Sequence, residues 1–126
     1  MAQIISQTDA RTLGLPGRVS LEIVSEHVDA KSVTLRLVEI PVPDPGETLR
    51  GPHVHHGFEE CLHVVSGSGE THAGGKVHPI KAGDTILVPA DEPHVTRNTG
   101  AAPLMLLCFF PVNDIRPGTE DLPAES

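Results

Sequence analysis

The chain has no tryptophan, no tyrosine and only three phenylalanines. Without a phenol it has no tyrosyl acid for catalysis, and so little aromatic surface gives no platform on which bases or sugar rings stack. Basic residues are also scarce, nine Lys and Arg against seventeen Asp and Glu, for a formal charge of −8 at pH 7. They form no run, so the electrostatic footprint of a nucleic-acid or anionic-membrane binder is missing. No apolar stretch approaches the ~20 residues of a membrane span. The opening Met-Ala-Gln-Ile-Ile lacks the basic-then-apolar plan of a secretory leader, so a cytoplasmic location is expected. Cys61 and Cys108, the two cysteines, lie in separate apolar segments and read as buried thiols, not as a disulfide framework. These exclusions leave small molecules as the expected partners.

Glycine and proline are abundant, twelve of each in 126 residues, which suits many short strands joined by tight turns and poorly suits a helical bundle. The reading is one all-β domain. Residues 1–17 read as an N-terminal arm with one helical turn near Thr8-Asp9, 18–112 as a barrel, and 113–126 as a loose acidic tail. Alternation places Val19, Leu21 and Ile23 inward with Ser20 and Glu22 outward, then Val33, Leu35 and Leu37 inward with Arg36 outward. Further on, Leu62 and Val64 share a face with Glu60, while Cys61, His63 and Val65 face away. Ile86, Val88, Met105 and Phe110 are expected in the core. Residues 104–110 are apolar without alternation, so that strand should be covered on both faces, by the barrel interior and by a second layer or a partner subunit.

Chemistry concentrates in two places, His53-Val-His55 with Glu60, and Pro93-His94. On an extended strand His53 and His55 leave the backbone on one face. Glu60 sits at an offset of five from His55 and needs a turn, which His56-Gly57 can supply. Three imidazoles and one carboxylate suit Fe(II), Mn(II), Ni(II), Cu(II) or Zn(II); an all-oxygen set would point to Mg or Ca, and thiolates to structural zinc. One divalent transition metal is therefore the expected cofactor. His56 and Glu59 are out of phase and read as solvated turn residues, and Asn98 as a hydrogen-bonder that holds a turn.

These stretches resemble the cupin superfamily, specifically a small single-domain cupin. Between Gly46 and Gly67 lies His-x-His, then four residues, Glu60, six residues and Gly67, similar to the first cupin motif. Gly83, Pro89, His94 and Asn98 match the second, with Asp91 where the family usually has glycine; Asp tolerates the left-handed conformation better than most residues. The resemblance implies a double-stranded β-helix, or jelly-roll barrel, with His53, His55, Glu60 and His94 as metal ligands. Glu60 is also the candidate catalytic base. The family includes dioxygenases, decarboxylases, lyases, isomerases and non-catalytic binding or sensing proteins, so the resemblance is weak on reaction. Dioxygenase-type chemistry on a small oxygenated molecule is the leading expectation, with Lewis-acid isomerisation, decarboxylation or elimination, or binding alone, as alternatives. Because Arg36 and Arg97 are out of phase with the inner face, no arginine clamp is expected, which favours a neutral or singly charged substrate such as a diketone. Exchange of the 1–17 arm and the 104–110 strand suggest a homodimer.

Overall fold

In the computed structural model, which describes residues 1–124, two antiparallel sheets face one another and close into a jelly-roll barrel. The strands are β1 (Arg11–Leu13), β2 (Val19–Val24), β3 (Thr34–Ile40), β4 (His53–His55), β5 (Glu60–Ser66), β6 (Ser68–Ala73), β7 (Lys76–Lys81), β8 (Thr85–Val88), β9 (His94–Asn98), β10 (Leu104–Phe110) and β11 (Thr119–Asp121). One sheet has the order β1-β2-β3-β10-β5-β8 and the other β11-β4-β9-β6-β7. The remaining regular structure is three single turns of 3-10 helix, at Gln7–Asp9, Glu26–Val28 and Arg116–Gly118.

Local sequence explains the turns that matter. The chain passes from β5 in one sheet to β6 in the other at Gly67, whose φ is 87°. A Cβ there would lie 2.6 Å from Pro103 O, so glycine is required on two grounds. Gly74-Gly75, both at positive φ, make the two-residue β6–β7 loop. Asn98 holds the β9–β10 turn as expected: its Nδ2 donates to Ile40 O and Ala102 O at 2.9 and 2.8 Å, and Oδ1 accepts from Gly100 N.

Leu104, Leu106, Val64, Val88 and Phe110 fill the core between the sheets, all at 2% exposure or less. Each is worth about 1.5–3 kcal/mol in transfer from water. Period 2 assigns the faces of β5 correctly, with Glu60, Leu62 and Val64 inward. It fails on β2 and β3, where Ser20, Glu22, Thr34 and Arg36 face in and Leu21, Leu35 and Leu37 face out. The cause is that one part of the barrel interior is polar: Glu22 accepts from Arg36 Nη2 and Nε at 2.7 and 2.9 Å, from Ser25 Oγ at 2.7 Å and from Arg11. Met105, expected in the core, also faces out, alternating with buried Leu104 and Leu106.

The two ends of the chain are more ordered than the sequence suggests. Arg11–Leu13 pairs with β2 and forms the edge strand of the six-stranded sheet. The tail from Asn113 is not loose up to Asp121. Ile115 is 4% exposed in the core, and β11 pairs with β4, aligning Thr119 with His55. Residues 125 and 126 of the expected tail lie outside the described residues.

Candidate metal centre

His53 and His55 stand on one face of β4, Glu60 opens β5, and His94 opens β9 in register with His53. The turn between β4 and β5 is tied to the second motif through Asp91. At φ 67° it adopts the left-handed conformation its motif position requires; its N–H donates to His55 O at 2.8 Å, and its carboxylate accepts from Gly57 N at 3.2 Å. His56 and Glu59 are exposed, and His56 pairs with Glu120 and Asp91.

The four expected side chains come together. One nitrogen from each imidazole and one Glu60 oxygen all lie within 4.8 Å of one another, and the three rings have centroids 4.3–5.1 Å apart. Their protons can be assigned from the neighbours. Thr119 Oγ1 donates to Ile115 O at 2.6 Å, so it accepts from His55 Nδ1–H at 2.9 Å. His94 Nδ1–H donates to Glu92 O at 3.0 Å. In neutral rings both Nε2 lone pairs then face Glu60 Oε1, at 3.1 and 2.9 Å.

Three acceptors cannot share one buried point without a cation between them. Protons can play that part. Burial opposes charge on His94, yet Glu60 raises its pKa; burial likewise opposes charge on Glu60, yet hydrogen bonds from His55 and His94 hold it down to about 2. His53 lacks even this option. Burial, then repulsion from His94, lowers it to about 3, leaving a neutral imidazole with no side-chain hydrogen bond among the described residues. A single metal ion satisfies all four groups at once, so the donor set fits one divalent transition metal. A second cluster, Glu22, Glu26 and His27, fits poorly, because Arg11, Arg36 and Arg116 already neutralise its carboxylates.

The group lines a cavity of about 250 Å³. Phe58 stacks on His55 at 5.2 Å and Phe110 meets it edge-on at 5.1 Å, fixing the ring from the apolar side. Cys108, a buried thiol, also lines the cavity; burial and then the Glu60 charge push its pKa well up, so it is a neutral wall group. Cys61 is half-buried and unpaired.

The profile of the Cupin domain family matches residues 42–110, more than half of the chain and all four of these side chains. The chain belongs to the cupin family. An uncharacterised protein of Methanocaldococcus jannaschii is 36% identical over 92 residues, 73% of this chain and 71% of that protein. The oxalate-binding protein of Thermotoga maritima is 40% identical over 66 residues, 52% of this chain and 54% of the relative. Among solved structures, a predicted oxalate decarboxylase from the same organism superposes with a TM-score of 0.70 at 21% identity, covering 87% of this cupin and 99% of that chain.

Two parts of the site escaped the sequence. Thr119, which orients His55, lies in a stretch whose composition reads as tail. The second is cationic: Arg18, Arg36 and Arg50 all line the cavity. The expectation of an inner face without arginine is therefore wrong, and the reason for a neutral substrate falls with it. For Arg36 a signal existed in its parity with Thr34 and Val38, and for Arg18 in its parity with Ser20 and Glu22, the face that alternation had put outward; Arg50 sits in an irregular stretch, where period 2 says nothing.

Thr119→Val keeps the shape of the side chain and removes the acceptor for His55 Nδ1–H. Metal affinity is expected to fall roughly 10–100-fold, read by competition with a chelator. Unchanged affinity would remove Thr119 from the account.

Proposed function

We propose that this cupin is a metal-dependent enzyme acting on a small oxygenated organic molecule, with one divalent transition ion held by His53, His55, Glu60 and His94. The supporting observation is that these four groups converge on a cavity and lack enough protons to satisfy one another. A redox-active ion bound there supplies dioxygen activation, whereas a Lewis-acidic ion supplies carbonyl polarisation. The protein's own groups do the rest. Thr119 and Glu92 hold the tautomers of His55 and His94, Phe58 and Phe110 exclude water from one side, and Glu60, once loosened from the ion, would be the base that takes a proton from the bound molecule.

Dioxygenase-type oxidation is the leading reading, because an ion that prefers six donors, held by these four side chains, would have room for both substrate and oxygen. Decarboxylation or another Lewis-acid reaction is the second, favoured by the arginine-lined wall, which suits an acid better than a diketone. Binding without turnover is in keeping with the name of the Thermotoga maritima relative. Elemental analysis of protein purified without added metal, with oxygen uptake measured on the same sample, separates these. One iron per chain with substrate-dependent uptake supports oxidation; manganese or zinc without uptake supports the Lewis-acid branch. Failure to retain any first-row transition metal would contradict the proposal.

A homodimer is part of the same reading. Leu21, Leu37 and Leu107 form one cross-strand row on the outer face of the six-stranded sheet, and Leu35, Phe109 and Leu87 lie in a second. Phe109 is 43% and Leu87 58% exposed, an apolar face suited to a second copy. The expected mass in solution is twice that of the chain, and a monomeric mass at micromolar concentration would refute it.

A further inference from the structure

Thr71 and Thr96 stand directly opposite one another on β6 and β9, both buried on the barrel side, with their hydroxyl oxygens 2.8 Å apart. Each hydroxyl carries one proton, so the pair makes one hydrogen bond and leaves one proton over. Neither oxygen has another hydrogen-bond partner among the described residues. Thr71 is completely buried and takes no part in the cavity wall, whereas Thr96 lines the cavity. Were Thr96 the donor, the Thr71 proton would be buried with nothing to receive it. Thr71 therefore donates to Thr96, and the Thr96 O–H is left for whatever occupies the cavity.

A second hydroxyl on the facing sheet is in the same condition. Ser20 faces inward from β2, lines the cavity and is 1% exposed, and its Oγ has no hydrogen-bond partner among the described residues. Its cross-strand neighbour Val38 offers none, and Glu22, next on the same face, is occupied by Arg36, Ser25 and Arg11. A buried hydroxyl without a partner is costly, and alanine would fill the same place without that cost. The fold accounts for neither unused hydroxyl. Thr96 lies two residues beyond His94 on the same face of β9, roughly 7 Å along the strand, so it meets the far end of a molecule whose near end is at the candidate ligands. Two uncharged hydroxyls match an uncharged group. A ligand hydroxyl uses both, accepting from Thr96 while donating to Ser20, and a methyl uses neither.

We infer that Ser20 and Thr96 determine specificity at the end of the cavity away from His53, His55, Glu60 and His94, and that the bound molecule carries a hydroxyl there. This rests on the reading above that the cavity takes a small oxygenated molecule; it depends neither on which ion is bound nor on the charge of the ligand's near end.

Erythrulose and 1-hydroxy-2-butanone are titrated calorimetrically into metal-loaded and chelator-stripped protein, with metal per chain measured on the same samples. Both are neutral four-carbon hydroxyketones with the same head, and only erythrulose has hydroxyls at the far end. Loaded wild-type protein is expected to bind erythrulose about tenfold or more tightly than 1-hydroxy-2-butanone. Ser20→Ala and Thr96→Val should each lose about fivefold in erythrulose affinity, with 1-hydroxy-2-butanone affinity and metal content unchanged, and Thr96→Ser should keep the preference. Thr96→Val strands the Thr71 proton and should melt lower than wild type, whereas Ser20→Ala should melt no lower, because its hydroxyl has no partner to lose. Equal binding of the two probes by wild-type protein, no binding of erythrulose, variants that keep the full preference, or a Ser20→Ala protein that melts lower would each overturn the inference. A preference that depends on Ser20 and Thr96 in protein that retains no metal would uphold the hydroxyl pair and remove the metal reading; retained metal without any preference would do the reverse.

Discussion

Replacing Glu60 with glutamine is expected to weaken transition-metal binding by more than the roughly 10–100-fold that follows loss of a partner behind the ligands. The carboxylate is the only anionic member of the group, and its Oε1 faces both His55 Nε2 and His94 Nε2. Glutamine keeps the size, removes the charge, and can turn an amide N–H towards nitrogens that must stay free for the ion. The fold should survive, since the packing of Leu104, Leu106, Val64 and Val88 does not depend on that charge. Chelator competition followed alongside far-ultraviolet circular dichroism reads both effects. His63→Ala is the control, because His63 is exposed and hydrogen-bonded to Thr85. Equal affinity in Glu60→Gln and wild type would mean that the ion is held elsewhere.

Glu22→Gln should have the largest effect on stability, about 3–5 kcal/mol, because it strands Arg36. Glu22 and Arg36 side chains are 4% and 11% exposed, and the guanidinium lies over the Phe110 ring at 5.8 Å, so the stranded charge can meet water only through the cavity that Arg36 lines. For a domain with a total stability of roughly 5–15 kcal/mol this is a large fraction. The pH dependence has a definite sign. Burial raises the Glu22 pKa, but hydrogen bonds from Ser25, Arg11 and Arg36 together bring it below the ordinary 4.5. A depressed folded value means that its contribution is complete above that ordinary value and is lost as pH falls through the depressed one. The gap between wild type and Glu22→Gln in urea melts should be constant from neutral pH down to about 6 and narrow below about 4. A gap under 1 kcal/mol at pH 7, or one that widens in acid, would show that the pair is dispensable.

The contrast between these two sites shows what could be read in advance. His53-x-His55 works at sequence level because period 2 is local, and the offset to Glu60 demands a turn that Gly57, at φ 88°, provides. The Glu22–Arg36 pair was invisible for the same physical reason that the strand faces of β2 and β3 were inverted. Alternation reports that a strand has two different faces and not which one looks inward. Here the outer face is apolar, with Leu21, Leu35, Leu37 and Phe109, while the interior carries a charged network and a cavity. The rule that apolar means inside therefore points the wrong way on these two strands. It holds on β5, where Leu62 and Val64 accompany Glu60. The contribution of Thr119 was hidden by distance: 64 residues separate it from His55, and only strand pairing brings them to 2.9 Å.

Anomalous diffraction at the absorption edge of the bound metal, on crystals of the loaded protein, tests the central claim most directly. The account predicts one strong peak per chain, about 2.0–2.3 Å from a nitrogen of each of His53, His55 and His94 and from a Glu60 oxygen. A peak at Glu22, Glu26 and His27, or none in the cavity at full metal loading, would contradict it.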